Sequence, residues 1–236
     1  AVDEVAERAV VAREIPQNAD EIVAHRVKEL CAYQDAAYSA RYQKLVDKVK
    51  RAEALNAPGL EGLTVTVARY AYKLMAYKDE YEVARLYTDG RFRNQLAAAF
   101  EGDFKLQFHL APPLLTKRHP ETGLRDKTTY GSWMLLMMKL LAKMKWLRGT
   151  ALDLFGYSEE RRTERNMIGE YEAMIKEIIG GLTHENHALA VEIASLPEGL
   201  RGYGHVKERH IAEVAAEKAH LMDLWRNPQQ VAPAAE

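Results

Sequence analysis

The sequence predicts a mainly α-helical fold, a multi-helix bundle broken by one short extended excursion around residues 104–130. Three observations carry that reading. Apolar residues recur at helical spacing through most of the chain, turn and cap residues punctuate them at helix-length intervals, and only one stretch alternates apolar with polar.

Taken in order, Ala1 to Glu14 has helical composition and stops at Ile15-Pro16, so residues 1–18 read as a lead-in segment before a helical domain spanning 19–226. From Asp20 to about Leu55, Val23, Val27, Leu30, Tyr38, Tyr42, Leu45 and Val49 form one stripe. That is one long helix or two nearly continuous ones, stopped at Asn56-Ala57-Pro58-Gly59. A second helical region covers Thr64 to Tyr87 and a third Arg91 to Phe100. Phe104 to Phe108 alternates and predicts a strand, with a turn at His119 to Gly123 suggesting a β-hairpin. Helices resume from Trp133 to Leu147, where the Met-rich run reads as core with Lys139 and Lys143 on its wet edge or as an adaptable binding surface. The next begins after Ser158, an N-cap followed by Glu159 and Glu160, and closes at Gly180-Gly181. Thr183 caps a shorter helix ending near Pro197, and the last runs from Gly204 to Trp225. Residues 227–236, rich in Pro, Gln and Ala, read as a disordered tail.

Composition excludes several function classes. Lysine plus arginine (33) nearly balances aspartate plus glutamate (34), too little excess base for an extended nucleic-acid footprint. The most apolar run is interrupted by Lys139, Lys143 and Lys145 and is too short for a bilayer. Cys31 stands alone, so neither a disulfide within the chain nor an iron–sulfur cluster can form. It reads as a small buried residue of a soluble protein in a reducing compartment, the cytoplasm.

Few constellations suggest chemistry. His210, Glu213, Glu217 and His220 fall on one helix face, and Glu217 to His220 is half of a di-iron Glu-x-x-His pattern with no second copy, so a solvated face competes with a metal site. His184 and His187 miss the metalloprotease spacing and read as polar residues at a helix start. Gly199, Gly202 and Gly204, near Arg201, His205 and Lys207, could cradle an anion or simply form a flexible connection. Tyr70, Tyr77 and Tyr81 would share a face of one helix, with Glu82 and Arg85 paired across a turn.

Five segments occur in a fixed order: Ala32–Tyr42 (AYQDAAYSARY), Lys73–Leu86 (KLMAYKDEYEVARL), Phe108–Leu114 (FHLAPPL), Arg148–Asp153 (RGTALD) and Gly202–Lys207 (GYGHVK). Together they resemble the C-terminal region of the single-chain indolepyruvate ferredoxin oxidoreductases, members of the 2-oxoacid:ferredoxin oxidoreductases. The resemblance implies a parent enzyme that converts arylpyruvates to acyl-CoA using thiamine diphosphate with Mg2+ and an iron–sulfur cluster, with ferredoxin and coenzyme A as partners. It also implies catalytic domains upstream of Ala1 in the same polypeptide, a homo-oligomer, and a non-catalytic assembly role for residues 19–226. No thiamine-diphosphate motif and no cluster ligands are present, so no cofactor or catalytic residue is assigned to this chain. Tyr77, Lys78, Tyr81, Arg85, His109, Arg148, His205 and Lys207 are the candidate interdomain or ligand contacts. A free-standing helical interaction module is the alternative, and a metal enzyme built on His210, Glu213, Glu217 and His220 a third reading.

Overall fold

Two compact units divide the chain, one within residues 78–162 and the other formed by residues 18–77 and 163–228. The computed structural model describes residues 18–102, 105–110, 128–202 and 205–228. The lead-in segment, the turn at His119 to Gly123, Phe104 and nearly all of the proposed tail lie outside them.

In the larger unit, α1 (Ala19–Tyr33) and α2 (Ala36–Asn56) divide the first predicted helical region. The break at Gln34 arises because the Asp35 carboxylate accepts the Tyr38 N–H at 2.7 Å and starts a new helix. α3 (Leu63–Met75), α7 (Glu159–Gly181), α8 (His187–Ser195) and α9 (His205–Arg226) complete the unit, with a 3-10 turn at Leu196–Gly199. Leu30, Tyr42, Val46, Val49, Leu63, Val67, Ile175, Ile178 and Ile193 are fully buried. Their shared core is the main stabiliser, each large side chain contributing roughly 1.5–3 kcal/mol. Ile22 and Val46 belong to it beside the predicted stripe. Cys31, expected inside, is exposed, because it sits one residue, about 100° of helical rotation, past buried Leu30.

Tyrosines tie this core to the open ends of helices. Tyr38 donates to the Met75 carbonyl at 2.9 Å and Tyr33 to that of Tyr77 at 3.1 Å, satisfying acceptors that the end of α3 leaves unpaired. Tyr42 donates to Ala68 O and Tyr171 to Ala194 O, both at 2.9 Å. At the other end of α3, Gly62 has no side chain to cap with, and Glu53 takes its place. Its carboxylate accepts the N–H groups of Leu63 (2.8 Å) and Thr64 (2.9 Å), the Thr64 hydroxyl, and a contact from His187 Nε2 at 2.8 Å. His187, expected as a polar residue of a helix start, is therefore a buried partner of a residue 134 positions away. Thr183 and Asn186 cap each other reciprocally at the turn before α8, with bonds of 2.8 and 3.3 Å.

The smaller unit holds α4 (Glu80–Thr88), α5 (Arg91–Ala99), β1 (Phe108–Leu110), β2 (Thr128–Tyr130) and α6 (Met134–Lys143), the last continued by a 3-10 turn to Leu147. The predicted helix from Thr64 to Tyr87 is thus two, because the Asp79 carboxylate caps α4 by accepting the Glu82 N–H at 2.8 Å. Tyr70, Tyr77 and Tyr81 consequently do not share one helix. β1 and β2 pair antiparallel, with His109 opposite Thr129, so the excursion is present. Its strand begins at Phe108, where the predicted one ended, and Lys105 to Gln107 are not strand. Among the described residues no helix is long and apolar enough to cross a membrane.

Burial pushes the Glu53 carboxyl up, but its hydrogen bonds from Thr64, His187 and Leu63 outweigh this and hold it below the usual carboxylate range. A depressed carboxyl stabilises the fold above its ordinary value near 4.5 and loses that contribution as pH falls through the lower folded value. Glu53→Ala should cost about 3 kcal/mol in urea unfolding at neutral pH, since it orphans buried His187 and the start of α3. The deficit should shrink in acid; a constant difference across the acid range would disprove the charged-cap role.

Candidate interaction surface

The 78–162 unit has a small core: Ala84, Phe108 and Met138 are buried, with Tyr87, Leu106, Leu110, Tyr130, Met134, Leu135, Leu141 and Ala142 packed around them. Tyr87 meets Phe92 and Phe108 edge-on at 4.9 and 5.6 Å. α4 packs against α6, yet this occupies only one side of α6. On its other side Trp133, Leu136, Met137 and Leu140 follow at i, i+3, i+4 and i+7 and are exposed, Leu136 by 71%. The reading of this helix as core is corrected: it is apolar on both faces, and one is bare. Between the two faces Lys139 and Lys143 are exposed, the wet edge expected of them.

The surface continues beyond α6 in Trp146, Leu152, Leu154 and Tyr157, all more than half exposed. Ten of the eleven large apolar residues exposed among the described residues belong to this unit, Leu55 being the other. Scattered exposed apolar residues are ordinary, whereas a concentration of them on one unit makes that unit the candidate interaction surface.

A buried polar network holds the loop that carries these groups. Arg148 grips Asp79 with two parallel bonds, Nε to Oδ2 at 2.5 Å and Nη2 to Oδ1 at 2.8 Å, with both side chains almost fully buried. One turn further, the Asp153 carboxylate accepts the N–H groups of Gly149 (2.8 Å) and Gly156 (3.0 Å) and the Tyr81 hydroxyl (3.2 Å). Gly149 has a φ of +77°, which favours glycine at this bend. The Tyr81 ring lies 5.5 Å from the Arg148 guanidinium carbon and meets Phe155 edge-on at 5.4 Å. Burial, reinforced by Asp153, pushes the Tyr81 phenol up, so it serves as a donor and not as a base.

Of the sequence-predicted contacts, the structure brings Tyr81 and Arg148 together. Lys78 is exposed just before α4. Arg85 clamps Glu82 at 2.7 and 2.8 Å, the pairing expected, and reaches Asp89 at 3.4 Å. His109 Nδ1 lies 3.0 Å from the Thr129 hydroxyl across the strand pair. Tyr77 packs against Tyr33, both within the larger unit, and Lys207 pairs there with buried Glu164. His205 opens α9, and its side chain lies outside the described residues. His210 Nδ1 is 2.8 Å from the Arg201 carbonyl and Glu213 pairs with Arg209 at 3.7 Å, while Glu217 and His220 are exposed. No group of three or more metal-ligating side chains occurs among the described residues.

The glycines before α9 have a steric reason. A Cβ at Gly199 would meet Val214 Cγ2 at 2.8 Å, and one at Gly202, whose φ is +84°, Val206 Cγ1 at 2.8 Å. Sequence reasoning missed Asp79, Asp153 and Glu53. The spacing of Asp79 before Glu82 carried a capping signal, whereas the burial of Asp153 against Tyr81 and of Glu53 against His187 depends on contacts across long separations.

Fold and surface together define a mainly helical protein in which a few buried polar side chains bond to one another and one unit exposes most of the large apolar groups. The chain belongs to the family DUF6537, described as a family of unknown function, which matches residues 19–220. No curated protein and no solved structure matches it.

Removing the Arg148 guanidinium leaves Asp79 charged and buried. Arg148→Met should therefore destabilise the 78–162 unit by about 3 kcal/mol, seen as faster amide exchange in α4 and α6. Unchanged exchange there would refute the anchoring role. Glu80 tests the opposite sign. Burial raises its carboxyl above the usual range, Arg161 at 3.6 Å offsets this only in part, and Glu80 Oε2 has no hydrogen bond among the described residues. For a raised carboxyl, stability is fullest below the ordinary value near 4.5 and is lost as pH rises through the folded value. Glu80→Gln should raise the unfolding midpoint relative to the parent at about pH 8 but not at about pH 4.

Proposed function

We propose that this chain is a non-catalytic docking domain of a thiamine-diphosphate-dependent 2-oxoacid:ferredoxin oxidoreductase of the indolepyruvate type, and that its 78–162 unit is the part that docks. The observation carrying the docking reading is the bare apolar face of α6 together with the exposed side chains of the anchored loop. The oxidoreductase reading rests on the resemblance of the five segments.

The roles of those segments support a scaffold. Ala32–Tyr42 supplies the Asp35 cap and the hydroxyls of Tyr33, Tyr38 and Tyr42. Lys73–Leu86 supplies Asp79, Tyr81, Glu82 and Arg85, and Arg148–Asp153 supplies both remaining members of the buried network. Phe108 belongs to the small core and Lys207 to an ion pair. Side chains bound to one another in this way hold a shape and are not poised to meet a substrate. In the parent enzyme, thiamine diphosphate, Mg2+ and the iron–sulfur cluster would be held by other domains of the polypeptide, and ferredoxin and coenzyme A would meet those domains. A free-standing interaction module in the cytoplasm would use the same surface, and differs in having no catalytic domains in its reading frame.

Amide exchange on the full polypeptide decides between them. Exchange across residues 134–143 should be at least about tenfold slower there than in the 236-residue chain alone, diluted until it is monomeric. Calorimetry should show no binding of thiamine diphosphate to the chain alone. Equal exchange in both forms would refute docking, and tight cofactor binding by the chain would refute its non-catalytic role.

A further inference from the structure

The docking face has a charge as well as a shape. Lys139 and Lys143 stand at i, i+4 beside Leu136, Met137 and Leu140, and both are exposed. Like charges so spaced repel one another along a helix. Between Thr128 and Leu152 the sequence has no aspartate or glutamate, and Arg148 is neutralised by Asp79. Among the described residues neither lysine forms an ion pair. A surface of this kind fits an apolar groove with carboxylates at its rim.

Such a groove exists on the larger unit. It has a volume of about 440 Å³ and lies between α8, the 3-10 turn after it, and α9. Leu196, Val214 and Leu221 form its apolar walls, and Glu192, Glu198, Glu213 and Glu217 its rim. Glu198 and Glu213 already face Arg201 (3.5 Å) and Arg209 (3.7 Å). Glu192 and Glu217 are exposed and have no ion pair among the described residues.

Resting on the docking reading above, we infer that the α6 face of one copy of this chain seats in the Glu192–Glu217 groove of a second copy. Leu136 and Leu140 enter between Leu196, Val214 and Leu221, and Lys139 and Lys143 meet Glu192 and Glu217. The contact is head-to-tail. A two-fold contact of the α6 face with itself would set lysine against lysine with no acid between them, and symmetry rules out relief of that repulsion. Because every copy carries both the face and the groove, the contact repeats and either closes a ring or extends.

Charge reversal on each side, followed by mixing, tests this on the full chain. Sedimentation velocity of the parent chain should show mass rising with concentration and falling with added salt. Lys139→Glu/Lys143→Glu alone should be monomeric, since an acidic face meets an acidic groove. Glu192→Lys/Glu217→Lys alone should be monomeric for the converse reason. An equimolar mixture should associate again, because each reversed surface then finds its opposite. A parent chain that stays monomeric, variants that associate like the parent, or a mixture that stays monomeric would each overturn the inference. Circular dichroism confirming that both variants fold keeps a monomeric mixture decisive. Failure here with slowed exchange of residues 134–143 in the full polypeptide would leave the docking reading standing with a different partner.

Discussion

The buried pair of Asp79 and Arg148 is the constraint on which the outward-facing surface depends. Asp79 caps α4 with the same carboxylate that holds Arg148, so the start of one helix and the exit from another are fixed at one point. A lone buried guanidinium or carboxylate would cost several kcal/mol, and the pair is tolerable because two parallel bonds and the cap occupy its oxygens. Such a pair adds less to stability than its geometry suggests, since both groups lose their water. What it adds is position. From it the chain runs through Gly149 to Asp153, whose oxygens hold two more backbone groups and Tyr81. The loop bearing Leu152, Leu154 and Tyr157 is thereby defined chiefly by polar bonds, with Phe155 against Tyr81 its aromatic contact.

The two units solve the stability problem differently. Residues 18–77 and 163–228 bury a contiguous apolar core and use polar groups to close helix ends, as Glu53 does at α3 and Tyr38 at Met75. Residues 78–162 bury few large side chains among those described and lean on polar anchors. A unit of that size has a high ratio of surface to volume and is marginal by itself. Leaving Leu136, Leu140 and Trp146 in water raises that cost, and covering them would recover part of it.

Much of the helical layout was legible from periodicity, because burial on one side imposes spacing that survives without knowledge of the partner. The breaks at Gln34 and near Lys78 were harder to read. Apolar spacing continues across them, and only the aspartates at 35 and 79 announce new helices. Burial of polar residues was not legible at all. Nothing local to His187 distinguishes it from His184, since its burial is set by Glu53 in a different helix. The bare face of α6 was hidden for a related reason. The sequence left core and binding surface both open for a helix whose wet edge is Lys139 and Lys143, and it carries no record of which apolar side its own chain would cover.

That last limit bears on what kind of protein this is. In a domain complete in itself, apolar residues around a whole helix would be paired with apolar residues elsewhere in the same fold. Here α4 and β1 supply partners for Met138 and its neighbours, while Leu136 and Leu140 stay exposed and Trp133, also exposed, meets Tyr130 edge-on at 5.9 Å. The buried polar residues are mostly bonded inward, as Arg148, Asp153, Glu53 and Glu164 are, with Glu80 Oε2 the exception among the described residues. A site of chemistry would show the reverse, with unsatisfied polar groups converging on a pocket and apolar groups enclosed behind them. Large apolar groups exposed on one unit, beside buried polar groups bonded to one another, are the arrangement that the docking proposal accounts for.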